Sequence, residues 1–148
     1  MRAVRLSPER ITVMVQKEAA ERMLSQPGDK NWCATAVTVR YFAEPYMVME
    51  ASASLFTPPP HVDSALLRLE MRETRAVPAE REEAFLNLIQ VAFRMRRKTL
   101  ANNLTAGLSL SRTDALRALE AAGLDERVRG ETLTLADFER LAEALHEK

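Results

Sequence analysis

Apolar and polar positions change rhythm several times along the first seventy residues. Ile11-Thr12-Val13-Met14-Val15 is short and β-branched, which predicts a buried strand. Residues 16–24 are almost all good helix formers, with Glu18 and Arg22 four positions apart, so a short helix is expected there. Pro27-Gly28-Asp29-Lys30 stops it in a surface loop. Two further stretches, Ala34–Phe42 and residues 46–50, read as strands, because apolar and polar positions partly alternate in Ala36-Val37-Thr38-Val39-Arg40. Pro45 between them cannot occupy a central ladder. Residues 64–69 form the last expected strand, reached through a link that Pro58-Pro59-Pro60 stiffens into an extended path. Strand, helix and strand, followed by strands joined through loops, predict α/β layering.

Beyond Val77-Pro78-Ala79 only a helical period remains. Phe85, Leu88, Ile89 and Ala92 fall on one face at 3.6 residues per turn. Ser111-Arg112-Thr113-Asp114 has the form of a capping box, with Asp in the usual Glu place, opening a helix over 115–122. Gly123 sits where a helix commonly ends in a left-handed residue. Thr134-Leu135-Ala136-Asp137 offers the same start again, for a final helix to about residue 145. The expected organisation is α/β over residues 1–77 followed by all-α over 78–148.

Composition narrows the function classes. The 148 residues are 47% hydrophobic and 28% charged, enough for a buried core and unlike a disordered chain. Lys and Arg number 21, as do Asp and Glu, and both halves are close to neutral. A globally basic nucleic-acid binder is excluded; polyanion binding would need a local patch. One cysteine excludes an internal disulfide and a multi-Cys zinc site, and it suits a reducing cytoplasm. Apolar runs fall far short of the roughly 20 residues of a membrane span. The opening MRAVRLSPER lacks the apolar core of a secretory signal. A soluble, cytoplasmic protein with no membrane partner is expected.

Two segments could carry chemistry. Arg94-Met95-Arg96-Arg97-Lys98 holds four cations in five residues. On an unbroken helix Arg96 would lie only about 20° from Phe85, on the apolar face. Either the helix breaks near Met95 or Arg96 meets a carboxylate or phosphate, because an unpaired buried guanidinium is costly. The cluster reads equally as a solvated helix end favoured by the macrodipole or as a phosphate-contacting patch. The second segment is Phe56-Thr57-Pro58-Pro59-Pro60-His61-Val62-Asp63-Ser64, in which prolines pre-order a loop around an aromatic ring. Phe56 suits stacking of a flat base, or it plugs the core beneath the loop. Cys33 reads as a small buried filler, and His61 and His146 lack metal-ligand spacing. Gly28, Gly107, Gly123 and Gly130 cannot make a glycine-rich phosphate loop.

These residues carry a family resemblance. Phe56-x-Pro58-x-Pro60-x-Val62-x-Ser64 resembles the late loop motif of the ribosomal RNA adenine dimethyltransferases and the related macrolide-resistance methylases. Met14-Val15-Gln16-Lys17-Glu18-Ala19-Ala20-Glu21-Arg22 is similar to the strand–helix segment upstream of it. The run from Ala92 to Leu104 resembles the basic segment of the family's helical domain, and Arg129-x-Glu131-x-Leu133-x-Leu135-x-Asp137-Phe138 resembles the housekeeping branch.

The resemblance implies an S-adenosylmethionine-dependent enzyme acting on N6 of adenines in small-subunit ribosomal RNA. It implies the last strands and helix of a Rossmann-like methyltransferase sheet over 1–77 and a helical RNA-seating domain over 78–148. Phe56 would stack on the flipped-out base, with Pro58, Pro60, Val62 and Ser64 shaping its loop. Arg94, Arg96, Arg97 and Lys98 would contact phosphates. The family's glycine-rich loop, ribose-binding acid and Asn-Leu-Pro-Tyr type motif have no match here; Glu44-Pro45-Tyr46 lacks the Asn-Leu and lies elsewhere. The expectation is therefore a carboxyl-terminal portion, with no catalytic, cofactor-binding or metal-binding residue of its own and no S-adenosylmethionine bound by this chain alone. A stand-alone, non-catalytic RNA-binding or ribosome-assembly module is the alternative, and a helix-turn-helix DNA binder a weaker third. A shortened sheet would expose a strand edge, so self-association is expected.

Overall fold

The computed structural model describes residues 7–147, so most of the opening read for a secretory signal lies outside the described residues. Three strands form one sheet: β1 (Arg10–Gln16), β2 (Ala43–Ala51) and β3 (Ser64–Met71), in the order β1-β3-β2. Both outer strands pair antiparallel with β3, so they run in the same direction with β3 reversed between them. Helices α1 (Lys17–Leu24) and α2 (Ala34–Phe42) connect β1 to β2. Then follow α3 (Glu82–Ala92), α4 (Leu100–Leu108), α5 (Arg112–Ala121) and α6 (Leu135–His146).

The pleat gives the sheet two unlike faces. Val13 and Val15 of β1 stand opposite Leu67 and Ala65 of β3, and this side packs on Ala20, Met23 and Leu24 of α1. On the other side Met14, Leu66 and Met49 form one cross-strand row, and Met14 is 54% exposed. The next row sets Arg68 over the Tyr46 ring, its guanidinium carbon 5.2 Å from the centroid. In the row beyond, Glu70 accepts from Arg10 Nε at 2.7 Å. Pro45 does enter the ladder, opposite Leu69, but on an outer strand, where its missing N–H is tolerated.

The reading of Ala34–Phe42 as a strand is wrong; the segment is α2. Its β-branched residues suggested alternation, yet its buried positions Ala36, Val37 and Tyr41 follow a helical repeat. Tertiary packing outweighs the local preference of Thr35, Val37, Thr38 and Val39. Arg40 also closes α1 from α2, donating through Nη2 to the carbonyls of Leu24 and Ser25, each at 3.2 Å.

The larger core draws on both sides of position 77. Trp32, Val37 and Tyr41 pack with Phe85, Ile89, Leu104, Leu119, Phe138 and Leu141. Trp32 Nε1 donates to the Leu133 carbonyl at 2.9 Å, and Gly28 N to that of Glu131 at 3.0 Å. Tyr41 donates to Glu82 at 3.1 Å; its phenol is pushed up to about 12, first by burial and then by that carboxylate.

The expected caps form. Ser111 Oγ accepts from Asp114 N, Thr134 and Asp137 complete a reciprocal box, and Gly123 adopts φ +72°. The long connection from α5 to α6, with a 3-10 turn at Gly130–Thr132, is not the tight turn of a helix-turn-helix unit. No described helix is long and apolar enough to cross a membrane.

Candidate nucleic-acid interface

The β2–β3 connection is built on its own polar contacts. Ser52 caps a single 3-10 turn, Ala53–Leu55, by accepting from Ser54 N. Asp63 ties both ends: its Oδ1 accepts from Ala53 N and its carbonyl from Lys17 N, each at 2.9 Å. Between them Phe56 is half-buried and belongs to neither core, so it does not plug the interior. With Met14, Thr57, Pro58, Pro60 and Ser64 it lines an open concavity of about 410 Å³ at the end of β1. Val62 is exposed nearby. This is a shallow, open surface with an aromatic ring in its wall.

The basic segment resolves the choice posed by Arg96. Helix α3 ends at Ala92, and Phe93 leaves it with φ −101° and ψ 0°. Residues 93–99 form a loop before α4, so no guanidinium enters the core. Arg96 Nη2 donates to the Lys30 carbonyl at 3.1 Å, a backbone acceptor rather than a carboxylate, and so straps the loop to the α1–α2 connection. Arg94, Arg97 and Lys98 are exposed and, among the described residues, have no carboxylate partner. Elsewhere Arg10, Arg22, Arg40 and Arg81 pair with Glu70, Glu18, Glu44 and Glu143. Unpaired like charges held together repel one another, and a polyanion relieves that repulsion.

Asn103 is the site residue that sequence reasoning missed. It is 2% exposed, and its carboxamide makes three hydrogen bonds to the backbone of the basic loop. The available signal was an amide lodged between Leu100 and Leu104 on the helix that follows the cations.

The Phe56 loop and the cation loop line separate concavities. A groove of about 270 Å³ between the 76–81 link, α3 and α6 contains neither, though burial raises the Glu139 carboxyl in its wall. No group of three or more potential metal ligands occurs among the described residues. Gly107 and Gly130 sit against Val91 and the Ala92 carbonyl, so they serve packing.

The model of the ribosomal RNA adenine dimethylase family matches residues 2–147. The chain belongs to this family. It is 42% identical over 142 residues to a ribosomal RNA small subunit methyltransferase A of Lachnoclostridium phytofermentans, covering 95% of this chain and 49% of that protein. The corresponding protein of Geobacillus thermodenitrificans is 41% identical over 144 residues, with the same coverage. This dimethylase-family chain thus spans about half the length of the curated relatives it matches. A dimethyladenosine transferase from Plasmodium falciparum superposes with a TM-score of 0.78 at 28% identity, over 90% of this chain and 55% of that one. The 23S rRNA methyltransferase ErmE shares the fold at a TM-score of 0.63 and 24% identity, over 93% and 55%. The three-stranded antiparallel sheet and six helices of this dimethylase-family chain are consistent with a methyltransferase-like α/β fold.

Proposed function

We propose that this chain is the carboxyl-terminal portion of an S-adenosylmethionine-dependent ribosomal RNA adenine N6,N6-dimethyltransferase, acting in small-subunit biogenesis in the cytoplasm. In this reading residues 1–77 supply the end of the methyltransferase sheet and the wall of the base pocket. Residues 78–148 seat the RNA. Phe56 stacks on an adenine taken out of its helix, which compensates part of the lost base stacking. The loop held by Pro58, Pro60, Val62 and Ser64 keeps that ring in place. Arg94, Arg97 and Lys98 contact phosphates, with Arg96 bracing their loop. The observation that supports RNA seating is a cluster of exposed cations that have no carboxylate partner among the described residues, in a chain whose net charge is zero. Methyl transfer itself requires cofactor-binding residues that this chain does not supply.

Filter binding with a labelled stem–loop of small-subunit ribosomal RNA, alongside calorimetry with S-adenosylmethionine, tests the reading. Affinity that falls steeply between 50 and 200 mM salt is expected, with no heat from the cofactor. Methyl transfer to RNA by the purified chain alone would overturn the claim of dependence on another part.

We also propose that a second copy pairs along β1. Its outer edge carries no proline and no lysine between Arg10 and Gln16, and it borders the apolar row of Met14, Leu66 and Met49. Sedimentation equilibrium is expected to show dimers that Met14→Lys weakens. A clean monomer at high concentration sinks the idea.

A further inference from the structure

We propose that Asn103 is a positioning residue for RNA binding: its buried carboxamide holds the 93–98 loop in the shape that presents Arg94, Arg97 and Lys98 together. Nδ2 donates to the Ala92 carbonyl at 3.0 Å and to the Met95 carbonyl at 3.2 Å. Oδ1 accepts from Met95 N at 3.1 Å. One side chain thus terminates α3 and fixes the first turn beyond it, using both of its donors and one lone pair.

The rest of the loop is anchored around this amide. Arg94 N donates to the Val91 carbonyl at 3.2 Å and Lys98 N to the Met95 carbonyl at 3.0 Å. Thr99 caps α4 through Asn102 N, and Leu100 N donates to the Val128 carbonyl at 2.7 Å. Gly130 lies close against the same turn, since a Cβ there would stand 2.5 Å from the Ala92 oxygen. Among the described residues, no hydrogen bond or ion pair ties the side chains of Arg94, Arg97 and Lys98 to one another or to the surrounding protein. Where these cations stand is therefore set by the loop backbone, which the Asn103 carboxamide holds at its start and the Arg96–Lys30 contact braces further on. Left without that amide, four like charges would drive the loop open, and binding would have to order it again.

This inference rests on the reading of the loop as an RNA-binding element, so the test includes a variant that addresses that reading separately. The full chain and three variants, Asn103→Ser, Leu119→Ala and the double Arg97→Glu/Lys98→Glu, are titrated with a labelled RNA stem–loop over a range of salt. Serine is small and polar, and its hydroxyl cannot span both carbonyls. Leu119→Ala is a control for general destabilisation, because Leu119 is buried in α5, outside the loop. Asn103→Ser is expected to bind about tenfold more weakly with a shallower salt dependence, though its charge is unchanged. Amide exchange at residues 93–98 should rise, while far-UV dichroism stays native. Leu119→Ala should keep the wild-type salt slope.

If the charge-reversed protein binds like wild type, the RNA reading itself falls. If it weakens while folded Asn103→Ser keeps full affinity and slope, the positioning role falls. Equal loss of slope in Leu119→Ala also overturns it, since general loosening would then suffice. Should Asn103→Ser unfold, Asn103→His, which keeps a ring donor, is measured in the same way; wild-type slope with rapid loop exchange would overturn the proposal.

Discussion

Trp32→Ala is expected to lower the unfolding free energy by about 3–5 kcal/mol, a large part of what a domain of this size possesses. The indole is 1% exposed and packs in the core shared by α2 and the later helices. Removing it leaves a cavity where the surrounding helices cannot close fully, and it strands the Leu133 carbonyl that Nε1 now satisfies. Trp32→Phe separates the two costs, because most of the volume stays and only the hydrogen bond goes; about 1–2 kcal/mol is expected. Urea unfolding followed by dichroism measures both, since Trp32 is the chain's one tryptophan and its fluorescence disappears with it. A loss below 1 kcal/mol for the alanine variant would mean that this junction contributes little. The consequence would also reach the candidate interface, because Trp32 follows Lys30, whose carbonyl holds Arg96.

Much of the fold was legible along the chain, and what escaped has physical reasons. Strand β1, helix α1 and strand β3 declared themselves, because each combines local propensity and burial in the same direction. The caps at Ser111 and Thr134 were equally readable, since capping is a local bond between residues three apart. Helix α2 was not. Its sequence favours a strand, and only the distant partners Phe85 and Glu82, which Tyr41 meets, make the helix the better burial. The charge cluster allows a break near Met95 as one of two outcomes; α3 stops earlier, at Ala92, and the cause is not local. No proline or glycine marks it; a carboxamide eleven residues later does. Long-range side-chain bonds to backbone leave little trace in periodicity, which is why Asn103 went unnoticed while Arg94, Arg96, Arg97 and Lys98 stood out by charge alone. Phe56 shows the opposite case. Its type predicts burial and its proline context predicts display; it is half-buried, outside both cores and in the wall of an open concavity.

Arg97→Glu with Lys98→Glu is expected to weaken binding of a ribosomal RNA stem–loop at least about tenfold near 100 mM salt, and to lower the slope of log affinity against log salt by about 2. Each lost cation releases one fewer counterion per phosphate it neutralised, and each new carboxylate adds repulsion at the same distance. Both side chains are exposed and, among the described residues, have no carboxylate partner, so the fold should change by no more than about 0.5 kcal/mol. Net charge shifts by the same amount in Arg10→Glu with Arg117→Glu, two exposed arginines on β1 and α5, outside the loop. If that control weakens binding as much, the effect is a diffuse field rather than contact at the loop. Unchanged affinity and slope in Arg97→Glu/Lys98→Glu would return the cluster to a solvated turn. A local effect, with the control near wild type, is what contact at the loop requires: at physiological salt the screening length is about 8 Å, so charges beyond that distance cannot act in place of the missing pair.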